Sequence, residues 1–258
     1  MQSKVRGAEE YREVREVFYE NLCPREFRQR LDEMPIAYLP LGTLEWHGPH
    51  LPLGADGIQS KGLFQIMAEE VGGIVLPPLF VGPDRMFEDG SRKYYGMDIN
   101  TGGTVTVYDT QQLPGSAYWV PFRLFEELLM HIMEQLHRAG FQVVIGHGHG
   151  PSIRCFQGIR ERVREEWGMS LYTAWDFAQE ERLKFQNDHA GTNETSLMMA
   201  LRPELVQMQE APDKSRLIGV AGENPLEAAS AEFGQQMIRH ALENMKECLG
   251  RECGFLKL

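Results

Sequence analysis

Residues that can bind a metal ion or transfer a proton are concentrated in three short segments of the chain. The first segment, LGTLEWHGPHLPLGAD, contains Glu45, His47 and Asp56 and follows an apolar run. Glu45 and His47 are two positions apart, so in an extended chain their side chains point to the same side. The prolines and glycines that follow exclude a helix and predict a turn, which can return Asp56 to the other two. This segment therefore has the residue types of a metal site.

Two further segments place similar residues beside glycines. His147 and His149 alternate with glycines directly after an apolar run, and the glycines leave room for the close approach of a ligand or an ion. His189 and Glu194 lie in HAGTNETS, where a helix is predicted to begin. Both segments are thus placed at the end of a strand or the start of a helix.

Each of these residues also has an ordinary structural role. Asp56 can cap the helix that follows it, and Glu194 can complement the dipole of its own helix. A single histidine near a strand end is commonly a hydrogen-bonded structural residue, and we expect this role for His50. The histidines on predicted helices are expected at the surface: His131, His137 and His240.

The coincidence of the three segments favours metal binding over these separate roles. Imidazole and carboxylate groups together suit zinc, manganese or iron(II). The available carboxylates and imidazoles exceed what one catalytic ion needs, because such a site keeps one position open for water. A carboxylate shared between two ions would use the surplus. The residue types therefore indicate a metal site, and two divalent ions, with zinc as the leading candidate, would use the available ligands.

The elements that must position these residues are short apolar strands separated by amphipathic helices. Strands are predicted at 35–42, 72–79, 104–108, 141–148 and 169–175, and helices at 57–71, 120–139, 152–167, 194–201 and 227–249. This alternation predicts a single-domain α/β fold with a largely parallel central sheet, preceded by a helical extension over residues 1–34. Ligands in such folds bind beyond the carboxyl ends of the strands, which is where the three segments fall.

The composition is typical of a soluble globular protein, since 42% of the 258 residues are hydrophobic and 24% are charged. A formal net charge of −11 argues against binding to nucleic acid or to an anionic membrane. No apolar stretch resembles a signal peptide or a membrane span. The four cysteines show no paired spacing, which is typical of a reduced protein. We therefore expect a cytoplasmic protein.

The three segments together resemble the creatininase (creatinine amidohydrolase) family. The resemblance rests on LGTLEWHGPHLPLGAD, VVIGHGHG and HAGTNETSLM, is supported by GVAGENPLEAASAEFGQQMI, and covers about Pro35 to Glu247. It implies an α/β/α fold in three layers, a two-metal centre and a homohexamer. It also implies hydrolysis of a small polar cyclic substrate, usually at the C–N bond of a cyclic amide.

The resemblance assigns metal ligands by position. Glu45, Asp56 and His147 would hold one ion. Asp56 would bridge to a second ion, which is held also by His47 and by one further residue.

That further residue is either Glu194 or His149. Glu194 occupies the carboxylate position of the string HAGTNETS, whereas His149 stands where some family members have glutamate. The sequence around His149 departs from the family pattern at two positions. Ile145 and Pro151 each stand where the family usually has asparagine. We therefore favour Glu194, with His149 as an extra or substitute ligand.

The resemblance also implies catalytic and substrate-binding residues. The candidate catalytic residues are His189 and Glu194; His189 would donate a proton to the leaving nitrogen. The alternative role of His189 is to orient Glu194.

Substrate contacts are expected from Phe185, which stands at the position of a family tryptophan, from Trp175, and from Arg85. Arg85 lies in the long loop 83–97, which we interpret as a lid. Its guanidinium either meets an anionic substrate or is a solvated loop charge. Two other functions remain open: a ring-opening hydrolase of a cyclic ketone or sugar-derived substrate on the same centre, and a non-catalytic metal-binding protein that retains the fold.

Overall fold

The computed structural model describes residues 15–100, 104–178, 180–185 and 187–252. The strands are β1 (Ile36–Leu41), β2 (Ile74–Val75), β3 (Met86–Asp89), β4 (Arg92–Tyr95), β5 (Val143–Gly148) and β6 (Ser170–Thr173). The helices are α1 (Pro24–Glu33), α2 (Ala55–Val71), α3 (Phe122–Ala139), α4 (Gly150–Gly158), α5 (Arg160–Trp167), α6 (Ala174–Phe177), α7 (Thr192–Leu201), α8 (Pro225–Ala228) and α9 (Ala231–Glu252).

Four strands form one parallel sheet in the order β2-β1-β5-β6. Every residue of β1 and β5 is buried, as expected for central strands that are covered on both faces. The last residues of these two strands, Leu41 and Gly148, are register partners. The chain runs from β1 to β2 on one side, while β5 lies on the other side of β1. Such a reversal of strand order is where an open α/β sheet forms its ligand crevice.

Helices cover both faces of the sheet. Ile36 and Tyr38 of β1 enter a core formed with α2, α7 and α9, whereas Ala37 and Leu39 enter a second core formed with α3, α4 and α5. Alternate residues reach opposite cores because successive side chains of a strand point to opposite faces. The predicted α/β fold with a largely parallel central sheet between helices is confirmed. None of the described helices combines the length and the apolar character needed to cross a membrane.

Several predicted elements differ in their bounds or type. Residues 104–108 are not a strand: Thr104 forms a single bridge to Ala221, and Val107 is 87% exposed. The β-branched residues suggested a strand, but the hydroxyl of Thr104 donates locally to the carbonyl of Thr106. The helix predicted over 152–167 is divided into α4 and α5 after Gly158, a residue with low helix propensity.

The N-terminal part and the loop 83–97 also contain structure that was not predicted in detail. Residues 1–14 of the expected helical extension lie outside the described residues, and α1 lies within its remainder. Phe18 is not helical, since it forms a parallel bridge with Val75 beside the sheet. The loop 83–97 contains the antiparallel hairpin β3-β4, most of whose residues are exposed.

Candidate metal centre

The segment after β1 folds back on itself and carries two ligand candidates into the crevice. The amide of Glu45 donates to the carbonyl of Leu53 at 2.9 Å, which closes the intervening loop. Gly48 has φ of +63°, a conformation that favours glycine, and allows the loop to turn. The chain then enters α2, so that Asp56 stands in the first turn of this helix, beside Glu45 and His47.

Two groups of three buried side chains meet at Asp56. The first group contains Glu45, Asp56 and His149, and the second contains His47, Asp56 and Glu194. In each group the nitrogen and oxygen atoms that could bind an ion lie within 4.8 Å of one another. All five side chains are at most 4% exposed. One carboxylate therefore belongs to both groups.

Three distances within the groups suit ligands that share a cation, whereas the 2.8 Å between Nδ1 of His149 and Oε1 of Glu45 is that of a hydrogen bond. Nε2 of His47 lies 3.5 Å from Oδ2 of Asp56 and 3.8 Å from Oε2 of Glu194. Nδ1 of His149 lies 3.4 Å from Oδ2 of Asp56. Ligand atoms about 2.0–2.1 Å from a tetrahedral zinc ion lie roughly 3.3 Å apart. These separations are too long for good hydrogen bonds but are close to the separation of ligands on a common ion.

The structure places His149, not His147, in the group with Glu45 and Asp56. The expected role of His147 as a ligand stays a prediction, because its Nε2 is buried and has no hydrogen-bond partner among the described residues. Nδ1 of His149 lies 2.8 Å from Oε1 of Glu45, whereas Nδ1 of His147 hydrogen-bonds the hydroxyl of Ser60 at 2.7 Å.

The two histidines diverge because the strand ends between them. Gly148 is the last residue of β5 and has φ of +138°, and a Cβ atom at this position would lie 1.7 Å from the carbonyl oxygen of Leu41. His149 then precedes α4 and no longer follows the alternation of β5. The sequence rule that places residues two apart on one side therefore does not apply across Gly148.

Hydrogen bonds on the far side of each ring fix the nitrogen that faces the carboxylates. Nε2 of His149 contacts the carbonyl of Pro83 at 3.1 Å, with Oδ2 of Asp84 at 3.4 Å. Nδ1 of His47 contacts the backbone carbonyl of Glu45 at 3.2 Å. A carbonyl oxygen only accepts, so these nitrogens carry protons. The opposite nitrogens, Nδ1 of His149 and Nε2 of His47, are thus oriented as ligands.

Glu194 is held at the start of α7 by several backbone contacts. Its Oε2 accepts a hydrogen bond from the amide of Ala190 at 2.6 Å, and Ala190 has φ of +51°. The carboxylate of Asp188 accepts hydrogen bonds from the amides of Asn193 and Glu194 and so caps the helix. Burial, followed by repulsion from Glu194, raises the pKa of Asp188 to about 7. Asp188 was not among the expected site residues.

His189 lies at the edge of the second group. Its ring stacks on that of His47 with 4.3 Å between centroids, and its Nε2 donates to the carbonyl of Trp46 at 2.8 Å. Its Nδ1 lies 3.9 Å from Oε1 of Glu45, and its side chain is 19% exposed. His189 is therefore close to both carboxylate groups and remains open to the cavity.

The buried carboxylates of the site favour positive charge beside them. Burial lowers the pKa of His47, but Asp56, Glu194 and Glu45 outweigh this effect and raise the pKa to about 10. The pKa of His149 is also raised well above its ordinary value, because the neighbouring carboxylates outweigh its burial. Protons on the two rings would balance the carboxylates. Divalent cations would supply the same balance, so the residues present fit a metal centre.

A cavity of about 320 Å³ opens onto these residues. It is lined by the metal-site residues Glu45, Asp56, His149, His189 and Glu194, and by Asp84, Arg85, Gly96, Met97, Phe122, Gly150, Pro151, Arg154 and Asp188. Gly96 has φ of +50°, and a Cβ atom there would lie 2.6 Å from Oδ2 of Asp84 and 3.0 Å from Oε2 of Glu45. Peptide backbone therefore forms the cavity wall beside Glu45.

Of the three expected substrate residues, Arg85 lines the cavity and the two aromatic residues do not. Arg85 lines the cavity, but Nε and Nη2 of its guanidinium donate to the carbonyl of Gly96, and Nη2 also to that of Ile99. Phe185 is 1% exposed and packs with its ring edge toward His147, so it belongs to the core. Trp175 is half-buried against both cores. Neither aromatic residue lines the cavity, which corrects their expected role in binding substrate.

Comparison with known proteins identifies relatives of the chain. The family model described as creatinine amidohydrolase matches residues 20–249. The creatinine amidohydrolase of Pseudomonas putida is 26% identical over 217 residues, which cover 76% of each chain. A 3-dehydro-scyllo-inosose hydrolase of Thermotoga maritima is 22% identical over 209 residues, which cover 76% of this chain and 60% of that protein.

The fold comparison finds the same architecture in a solved structure. A solved structure of a manganese form of creatininase, 21% identical, covers 92% of this chain and 98% of its own with a TM-score of 0.67. The family match extends from α1 into α9 and includes every residue of the two carboxylate groups. The chain is therefore a member of the creatininase family of hydrolases.

Proposed function

We propose that the protein is a dinuclear metal-dependent hydrolase that opens a cyclic amide, or a related C–N bond, in a small polar substrate. The observation that carries the proposal is the sharing of Asp56 between two groups of metal-ligand side chains. The cavity of about 320 Å³ beside these groups suits a small substrate.

Two divalent ions, with zinc as the leading candidate and manganese or iron(II) as alternatives, would be held by this centre. Glu45, Asp56 and His149 would hold one ion, and Asp56, His47 and Glu194 the other. When bound, such ions activate water as a nucleophile and polarise a carbonyl group. The relative solved in a manganese form supports a divalent ion.

His189 is proposed to move the proton that the leaving nitrogen requires. Its Nε2 proton is engaged by the carbonyl of Trp46, so the nitrogen available for exchange is Nδ1, which lies on the side of Glu45. The stacked ring of His47 holds the imidazole in place. Glu194 serves the reaction as a metal ligand whose orientation is fixed by the amide of Ala190.

A ring-opening hydrolase of a cyclic ketone or sugar-derived substrate is the second candidate. Phe185 is buried and Trp175 lies outside the cavity, so neither supplies the aromatic contact with substrate that was expected. One relative is named as a hydrolase of 3-dehydro-scyllo-inosose, a substrate of this kind. Such a substrate would use the same metal centre.

Metal analysis and substrate panels distinguish these functions. The purified protein is stripped of metal, reconstituted with zinc or manganese, and assayed on small lactams, cyclic ureas and cyclic ketones, with Asp56→Asn as the control. Two bound ions and hydrolysis of a cyclic amide would support the proposal. Two ions with turnover of ketones alone would support the second candidate. Weak metal binding without turnover would identify a non-catalytic homologue.

Family membership also supports a homohexamer as the assembly. Light scattering at micromolar concentration provides the test, because a hexamer has six times the monomer mass of 29.5 kDa. A particle with the mass of one chain would contradict this assembly.

A further inference from the structure

Gln59 lies beside the second carboxylate group without being a metal ligand. It is on α2, three residues after Asp56, and such spacing places both side chains on the same face of the helix. The side chain is fully buried, and its Nε2 donates to Oε1 of Glu194 at 3.1 Å. Gln59 therefore connects the helix of the shared carboxylate to the carboxylate of the second group.

The amide of Gln59 is not explained by core packing. Its Oε1 is buried and has no hydrogen-bond partner among the described residues. A buried amide with one unpaired atom is unfavourable compared with an apolar side chain of similar size. Beyond Ser60, the next buried residues of α2, Leu63 and Phe64, are apolar. The donor that reaches Glu194 is thus the interaction that distinguishes glutamine from an apolar residue here.

The contact controls how Glu194 presents its oxygens. Gln59 binds Oε1, while the amide of Ala190 binds Oε2, the oxygen that lies 3.8 Å from Nε2 of His47. Two donors on different oxygens prevent the carboxylate from rotating about its terminal bond. The amide is also neutral, so it orients Glu194 without neutralising the charge that a cation would require.

We infer that Gln59 is a positioning residue for the second metal ion, acting through Glu194, and that it has no comparable effect on the first ion. The inference rests on the proposed dinuclear function. Outer hydrogen bonds of this kind typically change metal affinity by about 10- to 100-fold. Glu45 and His149, which belong to the first group alone, contact each other, and His149 also contacts Asp56 and the carbonyl of Pro83.

The test measures metal affinity rather than activity. Metal-stripped wild type, Gln59→Met and Gln59→Glu are titrated with zinc against a chelator of known affinity, and bound metal is counted by mass spectrometry. In Gln59→Met we expect the dissociation constant of the weaker binding step to rise by about 10- to 100-fold. The dissociation constant of the other step should stay within about twofold of the wild-type value. In Gln59→Glu the dissociation constant of this weaker step should rise further, because the variant places a second negative charge beside Glu194. Gln65→Leu, on the outer side of α2 where Gln65 bonds Glu69, is the matched control.

A second experiment assigns the effect to Glu194. In a Glu194→Gln background, adding Gln59→Met should change metal affinity little, whereas in a His149→Ala background it should weaken the remaining site. Equal weakening of both sites, or a wild-type titration of Gln59→Met, would overturn the inference. A wild-type protein that binds a single ion would refute the dinuclear centre, and with it the second site that Gln59 is inferred to serve.

Discussion

His47 and His149 are brought to the same oxygen atom of Asp56, although they lie about one hundred residues apart in the chain. Nε2 of His47 is 3.5 Å and Nδ1 of His149 is 3.4 Å from Oδ2 of Asp56. The register of β1 and β5 accounts for this, because both histidines follow strands that end side by side. Asp56 is therefore the residue that belongs to both groups.

Replacing Asp56 should therefore affect both ions. Asp56→Asn is expected to lose both, because an amide oxygen without charge is a much poorer ligand at each group. Glu45→Gln should mainly weaken one ion, since Glu45 belongs to the first group. Metal stoichiometry by mass spectrometry checks this, and two tightly bound ions in Asp56→Asn would show that the carboxylate is not shared.

His149 and His147 should respond differently to substitution. His149→Ala is expected to lose the ion of the first group, together with activity. His147→Ala should instead lower the stability of the fold, because His147 is 1% exposed and bonds Ser60. Metal counts and urea unfolding of both variants give the comparison. Loss of one ion in His147→Ala with full occupancy in His149→Ala would restore the assignment expected from the sequence.

Binding of metal should release protons. In the metal-free protein burial lowers the pKa of His47, but the carboxylates raise it to about 10, and they raise that of His149 as well. His47 is protonated at pH 7 at this pKa, and the raised pKa of His149 favours its protonated form too. Both rings must be neutral to bind a cation, so one or two protons should leave and affinity should rise with pH. Calorimetry in buffers of different ionisation enthalpy counts these protons. His47→Gln should release about one fewer, and no release in the wild type would contradict the assignment.

His50 should make the metal-free fold less stable as the pH falls. Burial, followed by repulsion from His47, lowers the pKa of His50 from 6.5 to about 4. Below pH 6.5 the unfolded chain takes up the proton first, so the free energy of unfolding falls between about pH 6.5 and 4, by about 3 kcal/mol at most. Above pH 6.5 the contribution is constant.

Urea unfolding of the metal-free wild type and His50→Gln at several pH values isolates this contribution. The wild type should lose stability relative to the variant as the pH is lowered from 6.5. Parallel pH profiles for the two proteins would show that His50 has an ordinary pKa.

Phe185 should matter for stability rather than for substrate binding. Phe185→Ala removes a ring that is 1% exposed, and such changes cost about 3–5 kcal/mol. Phe122→Ala is the matched control, because Phe122 is 46% exposed and lines the cavity. It should leave stability nearly unchanged and alter KM. Urea unfolding and substrate kinetics check both variants, and a KM effect confined to Phe185→Ala would reverse the assignment.

The sequence predicts the fold well where residues repeat a regular pattern. β1 and the first part of β5 are apolar runs, and the candidate ligands lie at or after their carboxyl ends, so the meeting of Glu45, His47 and Asp56 with a third segment is predictable. The structure groups His149 rather than His147 with Glu45 and Asp56, because Gly148 ends the strand and changes the direction of the chain. That change depends on the close approach of Leu41, which sequence spacing does not reveal.

Other site residues carry no local signal. Gln59 lies within a helix whose sequence mixes polar and apolar residues, and its role appears only when α7 brings Glu194 beside it. Asp84 and Pro83 reach His149 from the start of a long loop. The N-terminal stretch was predicted as helical from its charge pattern, but Phe18 pairs with Val75 because a sheet edge is available there.

The backbone wall at Gly96 limits how this enzyme could be adapted. A side chain can be shortened by substitution, whereas a peptide unit beside Asp84 and Glu45 cannot. Any enlargement of the substrate range, by natural drift or in a library of variants, would have to come from positions whose side chains line the cavity, such as Met97 or Phe122. The part of the pocket beside Glu45 and Asp84 would keep its width while the outer part diversified.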